Sequence, residues 1–249
     1  TGVPTTGVPT TGAPTTETPT AGTPGPASSP AGKPTADGNR DYTDARLQAL
    51  LRGVKLEGTG QLQADDPRAV ASGALGDYHD ASDPKRGAAP GKCELFDSYL
   101  MFNAANGSLA SGLLVPSTPG DQDAMKMTGT YRSLSAVHPA SSTGRSEFQQ
   151  RRDAYGSCST VREISLLPGK LQMDIVRLSA KVDGEQSFAV SQLTSDGARV
   201  GAIYVGGSKS GVDVIYRQTV NGNAAQTLAA DAAARQGADV VNQVLSRLP

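Results

Sequence analysis

Between residues 160 and 220, apolar and β-branched stretches are divided by turn pairs at Pro168-Gly169, Asp183-Gly184, Asp196-Gly197 and Gly206-Gly207. Leu171, Met173 and Ile175 alternate with polar neighbours, and so do Val212, Val214 and Tyr216. A period of two sends successive side chains to opposite faces of a strand. The segment therefore predicts an antiparallel meander of about five strands with one buried face.

The flanking segments supply helices. Thr43 is placed to cap a helix in which Leu47, Leu50, Leu51 and Val54 share one face, and Asp44 suits its first turn. Ser146 and Gln149 match a capping box, and the short helix they open should end near Tyr155-Gly156. At the C-terminus Val240, Val241, Val244, Leu245 and Leu248 form an apolar stripe, and Gly237 is expected to interrupt the Ala-rich first half of that helix. Residues 57–92 are rich in Gly, Asp and Pro and read mainly as loop. Residues 94–102 fit helix or strand. Asn106-Gly107 marks a turn before a strand at 109–115, and 125–137 reads as a strand. The whole predicts an α+β fold: an antiparallel meander sheet with helices packed on one face.

Ahead of this domain lies a segment of different character. Residues 1–36 hold eight prolines and eleven threonines, with no Leu, Ile, Met, Phe or Tyr. Such a segment cannot bury enough apolar surface to offset its chain entropy. Its prolines recur every five residues from Pro4 to Pro24, which favours extended backbone, while frequent Gly prevents a stiff rod. The expected organisation is a disordered Thr/Pro/Gly-rich linker over 1–40 and one α+β domain over 41–249.

Composition narrows the functional classes. The net charge is −1 with acids and bases interspersed, so no basic face announces a nucleic-acid partner. No apolar run is long enough to span a membrane. The chain starts at Thr1 without Met, which points to processing, and a lipid anchor on a removed Cys before Thr1 is the expected contact with a membrane. Cys93 and Cys158 are the two cysteines. A stalk of this kind suits an oxidising compartment, where two cysteines in one domain usually pair. Their disulfide would close a loop of 65 residues and clamp the weakly patterned region 57–138.

The order of these elements resembles the PknH-like extracellular sensor domains of actinobacterial receptor kinases and lipoproteins. The similar features are the Leu-rich first helix (Leu47, Leu50, Leu51), Cys93 in mid-domain, and the short helix ending Tyr155-Gly156-Ser157-Cys158. An antiparallel run follows, then a final helix through Val240, Val241, Val244, Leu245 and Leu248. The likeness spans roughly residues 43–249. It implies a non-catalytic, extracytoplasmic ligand-sensing or ligand-binding domain with a cleft.

No catalytic constellation competes with that expectation. His79 and His138 are the two histidines, and no Gly-x-Ser-x-Gly elbow presents a serine to either. Ser82-Asp83-Pro84-Lys85 matches Ser-x-x-Lys only as a chance pattern in a loop. Asp77, His79, Asp80 and Asp83 meet no known metal spacing and read as a solvated acidic loop. Asp121-Gln122-Asp123 begins like a calcium loop but lacks the later Gly and Glu. Residues 206–211 lack Walker spacing and read as a hairpin. No cofactor, metal or catalytic residue is expected. The expected partner is a small molecule or an envelope protein, with a structural or accessory subunit of an envelope complex as the second reading.

Overall fold

The structure, a computed structural model, describes residues 42–56, 59–65, 91–96, 107–139, 146–164, 170–194, 200–221 and 229–249. The stalk, the acidic loop with His79, the Ser82–Lys85 match and the turn pairs Pro168-Gly169 and Asp196-Gly197 lie outside the described residues. Four helices are described: α1 (Asp44–Leu51), α2 (Pro119–Thr128), α3 (Glu147–Ser157) and α4 (Ala230–Leu245). Nine strands are β1 (Thr59–Asp65), β2 (Glu94–Phe96), β3 (Gly107–Pro116), β4 (Tyr131–Pro139), β5 (Thr160–Ile164), β6 (Lys170–Arg177), β7 (Gln186–Thr194), β8 (Val200–Lys209) and β9 (Val212–Asn221).

The strands form one sheet in the order β1-β3-β4-β9-β8-β7-β6-β5-β2. Strands β5 to β9 are the five-stranded antiparallel meander that the alternation predicts. The sheet extends beyond it, because β9 also pairs antiparallel with β4, and the three-residue β2 joins the far edge parallel to β5. Residues 57–92, read mainly as loop, contribute the opposite edge strand β1.

Both sheet faces are buried, which corrects the expectation of helices on one face. Helix α4 lies over β8 and β9, and α1 over β3 and β4, around Leu134, Ala136, Ile203, Val205, Val214 and Tyr216. On the opposite face α3 covers a second cluster that includes Met173, Phe188, Val190, Tyr204 and Ile215. The two alternating sets therefore point to opposite faces: Met173 and Ile175 towards α3, Val212, Val214 and Tyr216 towards α4. The cause is visible in β8, where Gly201 to Gly207 are all buried. A strand with apolar or small residues on every position is covered on both sides.

The same run corrects the turn at Gly206-Gly207. Both glycines lie inside β8, and the chain reverses at Ser210-Gly211, with φ of 51° and 75°. Two consecutive positive φ values suit a two-residue hairpin whose twist matches its strands. The strand expected at 125–137 is also two elements. Thr118 caps α2 with its side chain accepting from the Asp121 backbone N–H, Pro119 opens the helix, and Gly129 closes it at φ 63° before β4 begins. Asp121 and Asp123 thus lie in a helix, and the calcium-loop likeness is incidental.

Two helix starts follow their sequence signals closely. Thr43 caps α1, and the Ser146–Gln149 capping box opens α3 with reciprocal bonds of 3.2 and 3.3 Å. The Arg247 guanidinium donates to the carbonyls of Leu50 and Arg52, satisfying the C-terminal end of α1. Lys209 Nζ does the same for α4 through the carbonyls of Leu245 and Leu248 at 3.3 and 3.0 Å.

Gly237 does not interrupt α4; it lets the helix approach the sheet. A Cβ there would stand 2.5 Å from Tyr216 Cδ1 and 3.0 Å from Val205 Cγ2. Tyr216 is fully buried and its hydroxyl donates to Gln218 Oε1 at 2.9 Å, so its ring has nowhere to swing. Ala would improve helix propensity by about 1 kcal/mol, but overpacking costs about 1–3 kcal/mol. Gly237→Ala is expected to lower the denaturant midpoint. A variant as stable as the parent would show that α4 shifts without cost.

Candidate functional site

The disulfide is present: Cys93 and Cys158 are joined, S–S 2.00 Å, across 65 residues. Cys158 caps the C-terminus of α3, and Cys93 immediately precedes β2. The Cys93 carbonyl accepts from Arg162 N at 2.9 Å, so the bridge ties the edge strand and α3 to β5. It therefore does not clamp the whole of 57–138. Within that region β3 and β4 are long strands held inside the sheet by their own ladders.

Two polar assemblies flank the sheet. The first lies under α3. Arg151 is fully buried, and its Nη1 donates to the Tyr155 hydroxyl at 3.1 Å, as does Gln192 Nε2 from β7 at 3.1 Å. Arg151 and Tyr155 are four residues apart and share a helix face. The guanidinium carbons of Arg151 and Arg217 lie 5.3 and 5.6 Å from the Tyr204 ring centroid, within the range of cation–π attraction. The arrangement orients α3 on the sheet. It went unread in the sequence, where the spacing of Phe148, Arg151 and Tyr155 on one helical face was its available signal.

The second assembly lines an open cavity of about 440 Å³ between α2 and the sheet. Its walls are Pro116 at the end of β3, Asp121, Ala124, Met125 and Thr128 of α2, then Thr130 and Arg132 leading into β4. The helix–Gly129–strand reversal brings these residues together. Arg132 shares a sheet face with Tyr216 and Gln218 on the neighbouring strand, its direct partner being Gln218. Burial pushes the Tyr216 hydroxyl up to about 12, and the Arg132 guanidinium beside it acts in the other direction. Arg132 Nε is buried and has no hydrogen-bond partner, and none of the ion pairs among the described residues involves Arg132. The guanidinium also bonds the Tyr216 hydroxyl, a neutral partner, so a cation on the wall of a concave site can still hold an acceptor or an anion. The sequence concealed this site because 125–137 reads as one strand; Thr118-Pro119 was the helix-start signal.

The histidine and serines on the sheet do not assemble into a nucleophilic relay. His138 Nδ1 lies 2.8 Å from the Gly211 carbonyl, and its ring stacks obliquely on Tyr42 at 5.3 Å. The nearby Asp213 carboxyl is served by the hydroxyls of Ser208 and Ser146. A triad needs the carboxylate to hold the imidazole and the imidazole to face the serine. Among the described residues no three His, Cys, Asp or Glu side chains converge as a metal site, and no helix is long and apolar enough to cross a membrane.

Compared with family models and with curated proteins, the chain matches none.

Proposed function

We propose that this chain is a non-catalytic, extracytoplasmic ligand-binding or sensor domain of the PknH-like kind, held at the cell envelope by its Thr/Pro-rich stalk. The single observation that carries this reading is the open cavity beside α2, walled in part by Arg132, a cation with no ion-pair partner among the described residues. Small-ligand sites are concave, of roughly 300–1,000 Å³, mostly apolar, with a few polar groups that fix orientation. The Cys93–Cys158 bridge supports the extracytoplasmic part, since disulfides persist in oxidising compartments.

The test is thermal unfolding of the full chain against a panel of small anions, cations and neutral molecules, alongside Arg132→Met. A ligand present at about 100 times its Kd raises stability by about 2.7 kcal/mol. At least one member of the panel is expected to raise Tm in the parent but not in Arg132→Met. A flat response across the panel, with the parent shown folded, would defeat the reading.

A second reading, an accessory subunit of an envelope complex, draws on a different observation. On the sheet face opposite α3, Val176 of β6 and Leu193 of β7 are 51% and 37% exposed and lie diagonally across adjacent strands. Co-purification that is lost on Val176→Lys, with the cavity variants still active in assembly, would favour it.

A further inference from the structure

The walls around Arg132 carry information about what the cavity selects. The guanidinium is a planar fork of donors, which matches a carboxylate better than any neutral acceptor. Asp121 stands on the same cavity, engaged on one oxygen by the Thr118 hydroxyl at 2.5 Å. Its charge opposes a second anionic group on the ligand and attracts a hydrogen-bond donor. The hydroxyls of Thr128 and Thr130, 3.0 Å apart, line the polar wall, while Pro116, Ala124 and Met125 provide an apolar one.

Building on the ligand-binding reading above, we propose that this cavity binds a small monocarboxylic acid bearing an ammonium or hydroxyl group. The carboxylate sits on Arg132, the donor on Asp121, and a short apolar substituent rests against Met125 and Ala124. A dicarboxylate or a phosphate is disfavoured because its second negative charge meets Asp121. Met125 is the adaptable wall: its unbranched thioether accommodates substituents of differing shape.

The experiment is an amide-resolved NMR titration of the full chain with L-alanine, lactate, acetate, succinate, inorganic phosphate and glycerol. Alanine and lactate are expected to move the amides of Met125, Thr130 and Arg132, with roughly millimolar affinity, reasonable for so few heavy atoms. Arg132→Met should weaken both at least about tenfold, and Arg132→Lys, which keeps the charge but loses the fork, by less. Asp121→Asn, at an exposed position, should weaken alanine but leave acetate unchanged and ease the entry of succinate. Tighter binding of succinate, phosphate or glycerol than of lactate would overturn the ligand class while leaving a binding domain in place. Alanine and lactate binding that survives Arg132→Met would overturn the site. Silence from every probe would overturn the ligand class at this cavity, whereas the wider panel under the proposed function decides separately whether the domain binds anything.

Discussion

Replacing Cys93 and Cys158 together by serine is expected to lower the unfolding free energy by about 2–5 kcal/mol, with loop-closure entropy for a loop of this length near the upper end. The loss should also be local before it is global. Strand β2 has three residues, pairs on one side only, and lies parallel to β5, an arrangement slightly weaker per residue than antiparallel pairing. The bridge at Cys93 supports it covalently, next to the 3.4 Å Arg162–Glu94 ion pair, which is partly exposed and contributes little. Without the bridge, the amides of residues 94–96 and of Arg162 should exchange with solvent faster, while those of β8 and β9 retain protection until global unfolding. Uniform loosening of the sheet, or two free thiols in the unfolded, unreduced native protein, would contradict this account. Free thiols would also remove the structural support for an extracytoplasmic setting.

A second large effect should appear in the pH dependence of stability. Asp213 is buried, and burial pushes its carboxyl up from 3.8 to about 6; the Ser208 and Ser146 hydroxyls and the nearby His138 act in the other direction. The folded state therefore binds this proton more tightly than the unfolded state does. The linked stability is greatest below about pH 4, falls as the pH rises through about 4 to 6, and is lower by about 3 kcal/mol at pH 7. Asp213→Asn removes that titration and retains a polar side chain beside the two serines. It should stabilise the protein at pH 7 by up to about 3 kcal/mol, change little below about pH 4, and flatten the slope between. Urea unfolding across this pH range is the measurement. An Asn variant no more stable than the parent at pH 7, with an unchanged slope, would show that the carboxylate is well compensated where it sits.

Local signals in the sequence determined the five-stranded meander, the Thr43 and Ser146 caps, the apolar stripe of α4 and the cysteine pair. Each depends on residues close together in the chain or, for the cysteines, on a choice with one possible partner. Which face each strand buries was decided only by tertiary structure. Met173 and Val214 sit in equally regular alternations, and period two carries no record of whether α3 or α4 lies above them. The parallel docking of β2 on β5 and the burial of Arg151 likewise depend on partners distant in sequence. Gly237 has the same origin: by propensity it is a flaw in a helix, and only the Tyr216 ring beneath it makes it necessary. The Arg132 cavity needed both levels. Thr118-Pro119 could open α2, but the position of Arg132 against Tyr216 and the walls of α2 arises from the reversal at Gly129 and the pairing of β4 with β9. Side-chain periodicity is a local property, whereas burial and cavities belong to surfaces that only the assembled chain possesses.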